Sequence, residues 1–132
     1  MSCSACDGRT VPFDVPQALR EYAPEGGARA TLCTTCLRTA PSDCDDDAVD
    51  LEGLRAVVPE FPTGEAGAAL ALALGMLDSL ALRRETIDDC CAYAERAGAD
   101  VLLTLDRLAD AETVDPHFDI DRRRPQLAQL LR

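Results

Sequence analysis

The chain has no tryptophan and no lysine, a single histidine, and only five residues that are Phe or Tyr among its 132. Each shortage excludes something. With so few aromatics the core must be built from Leu, Val and much Ala, which pack as helices more readily than as sheets. One histidine, His117, placed beside Pro116 in a turn-like stretch, leaves no Cys/His or Ser/His/Asp arrangement in view. Long hydrophobic runs are also missing. AGAALALALGML, from Ala66 to Leu77, is broken by Asp78 and is too short to span a bilayer. The first residues carry no apolar leader-like stretch, so an oxidising compartment is not indicated and a cytoplasmic location is expected. Neither a P-loop nor a dinucleotide fingerprint occurs.

All 13 basic residues are arginine, set against 24 acids, for a net charge of -11. Such a charge keeps a chain soluble and costs self-repulsion in the compact state. The cost falls in concentrated salt, where the Debye length shrinks to about 3 Å near 1 M. The pattern points to a high-salt cytoplasm. Helicity and thermal stability are therefore expected to rise steeply with KCl; identical circular dichroism in dilute buffer and in molar KCl would refute this. The excess is unevenly placed. Residues 1–41 hold four arginines and four acids, whereas residues 42–132 hold nine arginines and twenty acids.

What is abundant is cysteine in pairs. Cys3-Ser-Ala-Cys6 is answered by Cys33-Thr-Thr-Cys36, giving C-x2-C-x26-C-x2-C. Two thiols three apart can be aimed at one point by a tight turn, and Gly8, two beyond Cys6, is expected to take the left-handed conformation that closes the first turn. Four such thiolates complete a tetrahedron around one structural zinc ion. About forty residues is also the size at which a metal usually supplements a small core. The set is closed, with no position for an activated water, so a catalytic metal is not expected. Its summed charge of -2 makes Arg9 and Arg38 candidate neighbours. Rubredoxin-like iron is the rival ion, disfavoured by the missing glycine after each second cysteine and by the scarcity of aromatics. A redox disulfide would need one pair at a helix start within a βαβ pattern, which is absent.

Other candidates are weaker. Cys44 stands alone in an acidic seam and reads as an exposed thiol. Cys90 and Cys91 are neighbours on a predicted helix and read as small core residues. Asp43, Asp45, Asp46, Asp47 and Asp50 lack the Gly and distal Glu of a calcium loop and read as a solvated face.

The expected architecture is α+β, mostly α: a zinc-ribbon or treble-clef-like module over 1–41, an acidic, Pro-containing connection over 42–62, and a bundle of about four helices over 63–132. In the module, RTVPFDVP and ARATLC read as strands and PQALREYA as a short helix with Pro16 in its first turn. In the bundle, a helix apolar all round runs from a Thr63 cap to about Leu82. A second starts at Thr86 with Asp89 as acidic partner and stops at Gly98. A third is capped by Asp100 with Val101, Leu102, Leu105 and Leu108 on one stripe. A fourth covers 122–131 through Leu127, Leu130 and Leu131.

The phrases FDVPQALREYAPE, LCTTCLRTAP, GEAGAALALALGMLDSLALRRETI, ERAGADVLLTLDRLA and DRRRPQLAQLL resemble an uncharacterised haloarchaeal family over nearly the whole chain. Its members carry an N-terminal zinc-binding module and a helical remainder. The resemblance implies metal ligation by Cys3, Cys6, Cys33 and Cys36, and brings no activity with it. The function expected is that of a non-catalytic zinc protein, an adaptor that holds another protein. Nucleic-acid association through the module is the alternative. Asp100, Asp106, Asp110 and Glu112 against Arg107 give the helix after RAGAD the wrong sign for phosphate. An iron electron carrier is the third reading.

Overall fold

The computed structural model describes residues 3–42 and 53–131. Cys44 and the aspartates at 43, 45–47 and 50 lie outside the described residues. The element order is β1 (Thr10–Asp14), β2 (Arg29–Cys33), β3 (Thr39–Pro41), then α1 (Gly64–Met76), α2 (Arg84–Arg96), α3 (Val101–Asp110) and α4 (Ile120–Leu130), with short 3₁₀ turns between. The class is α+β, and among the described residues four α-helices stand where about four were expected.

The strands form one antiparallel sheet in the order β1-β2-β3. Thr10 pairs with Cys33 and Asp14 with Arg29, so β2 is central and ends at a cysteine. Period-two alternation aims Val11 and Phe13 of β1 inward, opposite Leu32 and Ala30 of β2. Arg29 Nε meets Asp14 Oδ1 at 3.1 Å at the far end. The third strand was not expected from sequence. Three residues are too few for a periodic signal, and Pro41 reads as a breaker, although a proline is tolerated on an edge strand such as this one. PQALREYA becomes a 3₁₀ segment, Gln17–Tyr22, with Pro16 just before it rather than inside it.

α1 is buried from Ala66 through Leu74 on every side, as its unbroken apolar character requires. It rests on β3 through Gly75, where a Cβ would lie 2.1 Å from Thr39 Oγ1. The helix stops at Met76, short of the expected Leu82, and the chain tightens into a 3₁₀ turn at Leu77–Ser79. A partner for its C-terminal carbonyls explains part of this, since His117 Nε2 lies 3.1 Å from the Leu74 oxygen. Thr63 stands at the N-cap without a side-chain bond. α2 begins at Arg84, two residues before Thr86, again with no side-chain cap. Its end matches expectation: Gly98 has φ 108°, and the Ala99 N–H donates to the Ala94 carbonyl at 2.9 Å. Asp100 caps α3 by accepting from the Leu103 N–H at 3.1 Å. Asp119 caps α4 in the same way through the Arg122 N–H at 3.2 Å, which starts that helix two residues earlier than expected.

One apolar core runs from the sheet into the helices, through Phe13, Leu32, Leu70, Leu74, Ile87 and Leu105. Cys90 and Cys91 belong to it, fully buried as small core residues. Burial pushes the Cys90 thiol up to about 12 and raises Cys91 as well, so both stay protonated and inert. Tyr22 donates its hydroxyl to Asp89 at 2.6 Å and ties the first 3₁₀ segment to α2. No helix among the described residues is long and apolar enough to cross a membrane.

Candidate metal centre

Cys33 is delivered by the end of β2, Cys3 and Cys6 by the turn before β1, and Cys36 by the turn between β2 and β3. The two turns are built alike. In the first, Asp7 N–H donates to the Cys3 carbonyl at 2.9 Å and Cys3 N–H to the Gly8 carbonyl at 2.7 Å. In the second, Leu37 N–H donates to the Cys33 carbonyl at 3.1 Å and Cys33 N–H to the Arg38 carbonyl at 2.9 Å. Residue for residue the pattern repeats, thirty positions on.

The residue that turns the chain is not the one expected. Gly8 is absent from the left-handed positions, whereas Asp7 at φ 60° and Leu37 at φ 65° occupy them, each directly after the second cysteine of its pair. Gly8 serves a different purpose: a Cβ there would stand 2.9 Å from Cys33 Sγ and 2.8 Å from Thr35 Oγ1. Left-handed turns thus form here without the glycines of rubredoxin, so their absence no longer argues against iron. Asp tolerates this region at modest cost. Asp7→Gly is expected to tighten metal retention several-fold, removing about 0.5–1 kcal/mol of backbone strain together with a charge beside an anionic cluster. Chelator competition against the parent chain measures it, and weaker retention would contradict the assignment.

All four sulfurs lie within 4.8 Å of one another. Two contacts cross between the turns, Cys3 to Cys36 at 3.7 Å and Cys6 to Cys33 at 3.5 Å. A disulfide needs about 2.05 Å. A tetrahedral ion bound to sulfur at about 2.3 Å sets its ligands about 3.8 Å apart, and the observed spacing fits that geometry. Backbone N–H groups of Ala5, Gly8, Thr35 and Cys36 each reach a sulfur at 3.4 Å, which favours the thiolate form. Cys3, Cys33 and Cys36 are buried; Cys6 is exposed.

The thiols ionise unequally. Burial pushes Cys3 up, but hydrogen bonds from Ala5, Cys6 and the Cys36 and Cys6 side chains outweigh it and bring it down to about 7. Burial pushes Cys36 up to about 12, with Cys33 and Cys6 adding to it. The cluster therefore holds protons that an arriving cation must displace. Arg38 is the neighbour expected from the sequence. Its hydrogen bond with Cys36, then the nearby cysteine charges, hold its guanidinium more firmly protonated. Arg9 contributes its carbonyl instead, accepting from the Thr34 N–H at 2.8 Å and the Thr34 hydroxyl at 3.0 Å.

Sequence reasoning missed what braces the second turn. The link between α3 and α4 lies against it, with Asp115 N–H donating to the Thr35 carbonyl at 2.7 Å and His117 N–H to the Cys36 carbonyl at 2.8 Å. His117, which seemed without a partner, has a buried side chain between the Leu74 carbonyl and Asp78, whose Oδ2 is 3.7 Å from Nδ1. These are backbone bonds and one buried ring, and no residue pattern advertises them.

The chain is thus an α+β protein with a four-cysteine cluster that can hold a metal ion. It belongs to a family of unknown function, DUF6276, which matches residues 2–131. No curated protein and no solved structure matches it.

Proposed function

We propose that Cys3, Cys6, Cys33 and Cys36 hold one structural zinc ion, and that the protein is a non-catalytic adaptor that binds another protein in a high-salt cytoplasm. The carrying observation is the four-sulfur cluster itself. Four thiolates fill a tetrahedron and leave no position for water or substrate, so such an ion supports the fold and does no chemistry. The two equivalent turns at one end of a small sheet favour reading residues 1–41 as a ribbon-like module. The acidic, lysine-free composition favours the salty compartment. Against nucleic acid, Arg29 is engaged with Asp14, Arg38 is turned to Cys36, and Asp106 of α3 takes up Arg124.

Metal analysis of the chain purified without added metal tests the ion: one zinc per chain in a colourless sample is expected. Iron with visible absorption would replace this reading by an electron carrier. Crosslinking and co-purification from the native host in molar KCl test the adaptor, with one recurrent protein partner expected. Repeated recovery of no partner, or of nucleic acid whose binding is lost when Arg9, Arg29 and Arg38 become Ala, would overturn it.

A further inference from the structure

Among the described residues, one concavity far in sequence from the four-cysteine cluster has the opposite character to the rest of this acidic chain. It is a cleft of about 450 Å³ between the start of α2 and α4, lined by Arg84, Arg123, Gln126, Gln129, Leu80 and Leu130. No carboxylate is among its lining residues. Arg123 is held in place by donating to Gln126 Oε1 at 2.9 Å and to the Asp78 carbonyl at 3.3 Å, which leaves further guanidinium donors unused. With its amide oxygen so engaged, Gln126 keeps its NH2 as a donor. Arg84 is exposed and forms no ion pair among the described residues. The cleft therefore offers donors and positive charge on some walls and hydrocarbon on others.

We propose that this cleft binds a small organic oxyanion, its charged group taken by Arg84 and Arg123 and its hydrocarbon part laid on Leu80 and Leu130. Guanidinium groups suit planar carboxylates and tetrahedral phosphates alike, through paired N–H donors. The apolar walls add selectivity for an anion that carries carbon, since burial of hydrocarbon favours it over the bare ion. Glu85 and Asp88 border the neighbouring hollow, which shares Arg84 and Leu130. Their repulsion weakens the attraction for an anion.

The site is tested on the metal-loaded full chain by two-dimensional NMR, following the Gln126 and Gln129 side-chain amides at constant KCl. The probes are phenyl phosphate, benzoate and inorganic phosphate. Saturable shifts are expected with phenyl phosphate or benzoate, the tighter of the two identifying the oxyanion, and about tenfold weaker binding with inorganic phosphate. Arg84→Gln and Arg123→Gln should each abolish saturation. Arg107→Gln, an exposed change on α3, should leave it intact. Shifts that never saturate, or saturation that survives both cleft substitutions, would overturn the proposal. Equal weakening of binding by Arg107→Gln would overturn it too. Because metal content is read separately, failure here leaves the four-cysteine site untouched.

Discussion

Cys33→Ser, or removal of the metal by a chelator, is expected to unfold the three-stranded sheet and to expose the backbone of residues 115–117 at the same time. Cys33 ends the central strand, its sulfur lies 3.5 Å from that of Cys6, and its N–H closes the second turn onto the Arg38 carbonyl. A structural zinc site contributes on the order of 10 kcal/mol of apparent folding free energy, comparable with the whole stability of a domain. Without the ion, the buried cysteines regain protons and the turns lose the point they converge on. The Asp115 and His117 amides donate to carbonyls of the second turn, so they lose their acceptors when that turn loosens. Hydrogen exchange measures this directly. Fast exchange at Asp115 and His117 on chelation is the expected result, with the buried amides of α1 changing less. Unchanged protection at those two amides would show that the cluster carries no ion of consequence to the fold.

Leu37 offers the second large effect, with an unusual order among variants. Its side chain is fully buried while its backbone sits at φ 65°. Leu37→Ala removes the packing and keeps the strain, for an expected loss of about 2–5 kcal/mol. Leu37→Gly removes the same packing but frees the backbone, recovering about 1 kcal/mol. Glycine should therefore be the milder substitution here, the reverse of its usual rank below alanine. Denaturant unfolding of the two metal-loaded variants decides it. If the alanine variant is the more stable, left-handed strain at this position is not a significant cost.

The four-cysteine cluster was legible because cysteine spacing is local: two residues between two cysteines describe a turn, and two such turns can bring four sulfurs together. Asp100 as a cap and Gly98 as a stop were legible for the same reason, since each acts within its own few residues. The start of α2 was not. Thr86 looked like a cap, yet the helix begins at Arg84 with no side-chain bond at all. The end of α1 was not either. Leucines recur past Asp78 as far as Leu82, but the helix ends at Met76, close to where the Leu74 carbonyl meets a histidine 43 positions away.

From composition and local order alone come the acidic charge, the helical majority and the four thiols set out in pairs. Those properties belong to single residues and near neighbours, so folding does not alter them. Which residue of each turn is left-handed, why Gly8 has no side chain, and what steadies Cys36 came from the packed chain. The last two depend on atoms brought together from distant positions: Thr35 against Gly8, and the 115–117 backbone against the second turn. Contacts of that kind are made by shape and by main-chain groups common to nearly every residue, and so leave no mark in the order of the amino acids.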